Sequence, residues 1–547
     1  MTAYGDTLNI GGPGRPADQQ TNTYVTTSSS CSIKIFHYKK ENPDPESDDS
    51  ENLEVDVYDI NNQDTHNPIL SFTYTKSLSS ASGYFQFNLL PTTNWFNLIR
   101  PGDWIVVYLT NGDTKKAKIR CFGSVDNIQV TENINPSNGA RHLIYNVNCR
   151  DFGKVFEKYF VYINVFITDA VAQNTLLNEI LLKDVQSSIY GSPSQIVKIL
   201  INTFLGGEID KAILSDQKQL KQFLIPKQLV SEVKNNSQNT NSDNVQTFND
   251  SEDSDGKARF IDLLDLSKIQ DNLDGQKIIM TLDVRDYLWN LMKQHSNDLI
   301  NEMFCEMTED GKPAVYLRTA PLTFKDYTDP AGTIDGSLNF FLDLPAVQIS
   351  GKHILGANIG LHENDRVNFF LLLADFFESN AGQINPTMAM LQEKFPYVNA
   401  ASCVRYGSYP YQYKTDYAIT VANNAETPDP NLLLSWNYLI KHWFENNAYF
   451  EHAAITIVGQ DNLRVGKRLE IVDGPLLFGN KDGMTRQFYV ESYVDNWSFG
   501  GTWTQNLVLT RGIFAKDNKE IFSYDIYKNG GNFINASASR RSNDGLF

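Results

Sequence analysis

Positive charge is in short supply in this 547-residue chain: 47 Lys and Arg stand against 65 Asp and Glu, a net charge of −18. Tight nucleic-acid binding needs cations to displace counterions from phosphates. The basic clusters are short, among them the pairs Lys39-Lys40, Lys115-Lys116 and Arg540-Arg541, which argues against sequence-specific binding. Cysteine is scarce as well. Cys31, Cys121, Cys149, Cys305 and Cys403 are odd in number and widely scattered, and no pair has CxxC spacing. A disulfide framework or thiolate metal site is therefore not expected, and free thiols are. Long apolar runs are missing: the stretch from Tyr159 to Ile167 is interrupted by Asn164, far short of the ~20 residues of a membrane helix. MTAYGDTLNIGGPGRP at the N-terminus has no basic region before an apolar run, so no signal peptide is expected. Gly and Pro, 34 and 20 residues, are too few for a collagen-like or low-complexity chain.

What is present is β-rich. Residues 1–30 are Gly-, Pro-, Thr- and Ser-rich and read as an extended arm. Strand signals begin at Ile33. An acidic stretch with Asp44, Glu46, Asp48, Asp49, Glu51, Glu54 and Asp56 reads as a solvated loop. Strands follow at Ile69–Tyr74, Gly83–Leu89, after the Pro101-Gly102 turn, and at Ile119–Val130. From Leu143 to Cys149 the odd-numbered residues are the apolar set, a half-buried strand. Residues 30–152 thus predict an antiparallel β domain. Helical periodicity appears in 170–225, with Ile196, Leu200 and Ile201, and over 283–304, with Leu288, Leu291, Met292, His295, Leu299 and Met303 on one stripe. Residues 231–258 are polar and read as a linker. Asp429-Pro430 opens a helix carrying Leu432, Leu433, Trp436, Leu439, Ile440 and Trp443. A last β block runs from Ile455 to Arg511.

The two β blocks share ordered landmarks. Arg100-Pro101-Gly102-Asp103 matches Arg464-Val465-Gly466-Lys467. Val125-Asp126-Asn127 matches Val494-Asp495-Asn496. Both blocks close on an arginine-ended strand, at Arg150 and Arg511. Nearly constant spacing predicts the same β domain twice, too few copies for a solenoid.

Chemistry-bearing motifs are sparse. The eight histidines make no His-x-x-x-His or HExxH pattern, and no GxSxG or P-loop spacing occurs. His362-Glu363 is a lone pair in a loop. Asp375 and Glu378 share a helix face with Phe369, Phe370, Leu373 and Phe377, an ordinary amphipathic pattern. No catalytic, cofactor-binding or metal-ligating residue is assigned, and no cofactor is expected. Two carboxylates in space suffice for a glycosidase, so spacing alone leaves that class open. The aromatic content of 12% suits a carbohydrate-binding surface and a packed β interface equally.

The last block, with RVGKRLEI at 464–471, RQFYVESYVDNWSF at 486–499 and TWTQNLVLTRG at 502–512, resembles the baseplate hub proteins of tailed bacteriophages. Ser492 and Asp495 stand where that family often has Gly and His, so no role of that His carries over. Asn301-Glu302-Met303-Phe304 and the run from Pro313 through Arg318 to Pro321 also resemble the family, as does Arg405-Tyr406-Gly407 before the helix with Asn437 and Trp443. The resemblance covers roughly 60–155 and 280–512. It implies an α+β, mainly antiparallel β chain with two tube-like β-barrel domains in tandem and helical inserts.

The expected organisation is an arm at 1–30, a first tube-like domain at 31–155, a helical connecting domain at 156–230 and the linker at 231–258. A helical insert at 259–309, the second tube-like domain at 310–385 and 448–512, a helical insert at 386–447 and a C-terminal extension at 513–547 complete it. In that extension Ile521, Phe522, Tyr524, Ile526 and Tyr527 are expected to dock on a neighbouring subunit. The resemblance further implies a non-enzymatic homotrimer. It forms a pseudo-six-fold ring between the six-fold tail tube, or distal tail protein, and the three-fold central spike. Other baseplate proteins and the tape measure protein are further candidate partners. DNA only passes through the lumen, and there is no membrane insertion. The expected location is the virion tail baseplate, after synthesis in the host bacterial cytoplasm. The alternatives are a carbohydrate- or receptor-binding virion protein and a tail-associated cell-wall hydrolase.

Overall fold

The structure is a computed structural model. It describes residues 29–39, 55–60, 68–111, 118–134, 141–162, 190–206, 225–238, 259–270, 278–279, 285–321, 341, 344–374, 397–415, 419–422, 425–428, 430–444, 447–472 and 484–516. The fold is α+β and mainly antiparallel β. Its centre is one 13-stranded sheet. The N-terminal strands are β1 Ser29–Tyr38, β2 Val55–Ile60, β3 Ile69–Ser77, β4 Tyr84–Leu89, β5 Trp104–Asn111, β6 Lys118–Ile134 and β7 Arg141–Asp151. The C-terminal strands are β8 Ala346–Ser350, β9 Ile354–Gly360, β10 Glu451–Val458, β11 Arg468–Val472, β12 Met484–Ser498 and β13 Thr504–Lys516. The strand path runs β9-β10-β13-β12-β3-β4-β7-β6-β5-β1-β2, with β11 attached to β12 and β8 to β11. Only the β8–β11 pairing is parallel in this sheet. The two halves share one ladder, and among the described residues the strand path is not seen to close on itself.

The period of two decides which core each side chain joins. In β5, Trp104, Val106 and Tyr108 join a core with the helices, while Ile105, Val107 and Leu109 join a second core inside the sheet. That second core runs through both halves, from Phe72 and Phe85 to Val490, Trp497 and Leu507. The helices are α1 Lys154–Lys158, α2 Pro193–Gly206, α3 Lys227–Gln238, α4 Leu288–Gln294, α5 Ala400–Tyr406 and α6 Pro430–Phe444. In α2, Ile196, Leu200 and Ile201 are buried, and in α6 so are Trp436, Leu439, Ile440 and Trp443.

Several local expectations change. The 283–304 stripe is not one helix. Arg285–Tyr287 is a strand, α4 ends at Gln294, and Asn301–Met307 pairs with Pro313–Thr319. The residues of the stripe are buried nonetheless, because a short helix followed by a buried strand presents the same apolar sum. Phe369–Ala374 is a strand, not a helix, pairing in parallel with 410–415. Its apolar run FFLLLA suits a buried strand as well as a helix. Asp375 and Glu378 lie outside the described residues. Helix α3 covers the start of the stretch read as a linker: Leu229 and Val233, at helical spacing, are buried, and Glu232 reaches Lys34 at 2.6 Å. Residues 239–258, the helix cap Asp429, the 1–28 arm and the aromatic residues from Ile521 onward all lie outside the described residues.

The duplication is visible in hydrogen bonds. Gly102 N donates to Val125 O and Val125 N to Asp103 O; Gly466 N donates to Val490 O and Val490 N to Lys467 O. Both glycines hold positive φ, 98° and 75°, which a Cβ disfavours. One residue after each valine the ladder bulges, between Val125 and Asn127 against β7, and between Val490 and Ser492 against β13. Such bulges act as fixed register marks. They make Val125 equivalent to Val490 and Asn127 to Ser492. The sequence match of Val125 with Val494 is therefore four residues out of step: similar letters misled where the backbone pairing decides.

Candidate functional site

The seam between the halves holds a buried polar network. It is built where β3 pairs with β12, from Ser77 opposite Ser492 to Ser71 opposite Ser498. Phe72, Tyr74 and Lys76 on β3, and Tyr493, Asp495 and Trp497 on β12, are all buried. Tyr74 and Tyr493 meet edge to face at 5.8 Å.

Buried charged groups on and beside the two strands anchor this seam. Arg120 on β6 donates Nε to Asp495 Oδ2 at 2.5 Å, Nη2 to Oδ1 at 3.3 Å and Nη1 to Leu463 O at 3.0 Å. Its guanidinium lies 4.5 Å from the Tyr493 ring centroid and 5.5 Å from that of Trp503. Asp495 Oδ1 also accepts from Trp503 Nε1 and Gln505 Nε2. Burial disfavours charge on Arg120, but Asp495 beside it, with Tyr493 and Glu306, outweighs this and raises its pKa. Arg464, from the Gly466 landmark, donates to the carbonyls of Arg120 and Ile119 in the other half. Lys76 donates to Asp151 Oδ2 at 2.7 Å and to Ala81 O at 2.8 Å, and Tyr74 Oη donates to the same carboxylate at 2.9 Å. Burial pushes the Asp151 carboxyl up, against the pull of Lys76.

A second cluster docks the 301–319 hairpin. Glu302 and Arg318 are directly opposed and paired at 2.7 Å. Arg318 also donates to Gly466 O, and Tyr489 Oη donates to Glu302 Oε2 at 2.6 Å. Phe304 and Tyr316 stack at 4.8 Å. Glu306 accepts from Val465 N and Tyr493 Oη. The Asn-Glu-x-Phe and Arg passages picked out in the sequence therefore converge on the second half as packing elements. Sequence reading missed the roles of Arg120, Lys76 and Asp151. The one signal was charge placed at core-phase positions of strands, which patterning alone does not pair.

Every one of these carboxylates meets a cation or several donors. Among the described residues no group of three His, Cys, Asp or Glu could hold a metal ion, and no helix is long and apolar enough to cross a membrane. All five cysteines are free thiols, and burial pushes the thiols of Cys31, Cys121, Cys149 and Cys305 up. His362 packs on His452, whose Nε2 lies 2.9 Å from Asp365 Oδ2. His295 is buried with Nδ1 2.7 Å from Leu291 O at the end of α4.

No protein-family model matches the chain, and no curated protein sequence does. Among solved structures, the chain is similar to a tail protein from Neisseria meningitidis MC58 at TM-score 0.42 and 9% identity, over 88% of this chain and 96% of that one. It is similar to the 43 kDa tail protein of prophage MuSo2 from Shewanella oneidensis at TM-score 0.39 and 10% identity, over 88% and 96%. A type VI secretion component of E. coli, described as similar to the T4 tail proteins gp27 and gp5, aligns at TM-score 0.33 and 8% identity, over 82% and 74%.

Proposed function

We propose that the chain is a structural subunit of a phage tail baseplate hub, with no catalytic role. Three copies close a pseudo-six-fold ring that joins a six-fold tail tube, or distal tail protein, to a three-fold central spike, and DNA passes through its lumen. The observation that carries this reading is the repeated ladder: two β units with the same glycine turn and the same bulge, fused side by side through β3 and β12. A chain holding two equivalent units supplies a third of a six-fold wall, and cyclic closure gives each copy the same heterologous contact. The sequence passages resembling baseplate hubs supply the setting. The charge of −18 suits a conduit that must not retain DNA, because a basic wall would bind phosphates by counterion release.

The mass of the purified assembly tests the reading. Three chains per particle, with a ring in projection images, are expected. A stable monomer, or a closed ring of another order, sinks it.

A further inference from the structure

Among the described residues the internal seam has two counterparts, each with one side missing. Cys149 and Leu509 are equivalent, since each faces the valine before its bulge. Phe85 and Ala453, which face them, are therefore equivalent, and so are Tyr74 and Ile359, which face those in turn. Strand β9 thus occupies in the second half the place of β3 in the first. A further shared irregularity fixes the match: the ladder shifts between Ile69 and Ser71 in β3 and between Ile354 and Gly356 in β9. β3 is covered on its outer edge by β12, whereas β9 pairs with β10 alone among the described residues. In the same way, the segment of β12 that receives β3 corresponds to residues 127–133 of β6. That stretch pairs with β7 on one side and has no described strand on the other.

We infer that the outer edge of β9 in one copy pairs antiparallel with the 127–133 stretch of β6 in the next copy, repeating the β3–β12 seam between chains. The occupant is a second copy of this chain, and the inference rests on the ring reading above. The equivalences give a definite register: Gly360 opposite Gln129, Ile359 opposite Val130, Asn358 opposite Thr131 and Ala357 opposite Glu132. The exposure fits. Tyr493, Asp495 and Trp497 are buried under β3, whereas Val130 is 43% exposed and Gln129, Thr131 and Glu132 are exposed. On β9, Leu355, Gly356, Ala357 and Asn358 are exposed. The same register sets Leu361, 43% exposed, opposite Ile128 on the face that carries Ile359 and Val130. Two apolar pairs thus replace the Lys76–Tyr493 and Tyr74–Asp495 positions of the internal seam. An uncapped seven-residue edge strand is a template for another chain, and a repeated junction decides which chain it accepts.

The test is cross-linking in the full chain with Cys403, the one cysteine that is not buried, replaced by Ser. Directly opposed residues bring their Cβ atoms within about 4.5–5.5 Å, so Val130→Cys with Ile359→Cys is expected to oxidise to two- and three-chain species. Thr131→Cys with Ile359→Cys places the thiols on opposite faces and is expected to give none. Val130→Lys, at a position solvated in the single chain, is expected to weaken assembly at least tenfold while leaving the circular dichroism spectrum unchanged. Assemblies of three chains that do not cross-link in register, or cross-link equally out of register, overturn this junction and leave the ring standing. A chain that stays monomeric at its highest soluble concentration overturns both.

Discussion

Asp495→Asn and Arg120→Met, singly and together, probe whether the seam is held by its buried ion pair. Both side chains are almost wholly excluded from water, at 1% and 0% exposure. Removing one partner strands a charge in the core, which costs about 3–5 kcal/mol. Asn at 495 keeps an acceptor for Trp503 and Gln505 but turns an NH2 group toward Arg120 Nε, so its penalty combines the lost charge with one lost acceptor. The double variant removes both charges together. It loses the charge pair and strands no charge, leaving only neutral groups such as the Leu463 carbonyl without Arg120 as donor, so it is expected to cost no more than the worse single variant, a non-additivity of about 3 kcal/mol or more. A 547-residue chain need not unfold in two states, so the assay is amide exchange over 71–77 and 492–498, read as local opening. At about 1.4 kcal/mol per factor of ten, each single variant should speed exchange there by about two to three and a half orders of magnitude. Single effects below about 0.5 kcal/mol, or a double effect equal to the sum, would show that packing and not the ion pair holds the seam.

Other expectations follow from the same geometry. Gly466→Ala should destabilise more than Gly102→Ala in urea unfolding. Both glycines have positive φ, worth about 1–2 kcal/mol, but at 466 a Cβ would also lie 2.5 Å from Phe304 Cζ and 2.9 Å from Arg318 Nη2, whereas at 102 it meets nothing within 4 Å; equal losses contradict this. Arg318→Ala should loosen the 301–319 hairpin by about 3–5 kcal/mol, because Glu302 is left without its cation; unchanged exchange over 301–319 would count against it. Asp126, bonded to Arg150 and Lys154, is partly desolvated, but these partners hold its carboxyl below the ordinary range. A lowered folded pKa contributes stability that is present above the unfolded value, about 3.9, and is lost as pH falls through the folded one. Asp126→Asn should therefore flatten the decline of the urea midpoint below about pH 4, and an identical decline in both proteins removes Asp126 as the cause.

Much of this was legible beforehand because strands write period two into the sequence. Leu143 to Cys149, the Pro101-Gly102 turn and the terminal block all form as read. The duplication was legible too, through its two glycines, since a turn that needs positive φ restricts the residue. Its phase was not. A bulge adds a residue without changing composition, so Val125 and Val490 match only once the ladder is seen. Short apolar runs such as FFLLLA do not distinguish helix from strand, and the partner β12 of β3 lies too distant in sequence for any local pattern to indicate it. The seam's charges were invisible for a related reason: an isolated Arg or Asp in a strand looks like a surface residue until its partner arrives from the other half.

That arrival has a timing. Arg120 and Asp495 are 375 residues apart, and a ribosome adding about 5–20 residues per second needs about 20–75 s to cover the interval. Throughout it the N-terminal unit can form β3 to β7, yet the outer edge of β3 stays bare and Arg120 has no counter-charge. Crowded on one messenger, neighbouring nascent chains would offer one another the bare edge of β3, which the completed chain covers with its own β12. The order of synthesis thus makes the first half the vulnerable one: Lys76 finds Asp151 within it, whereas Arg120 waits for Asp495 to arrive with the C-terminal strands.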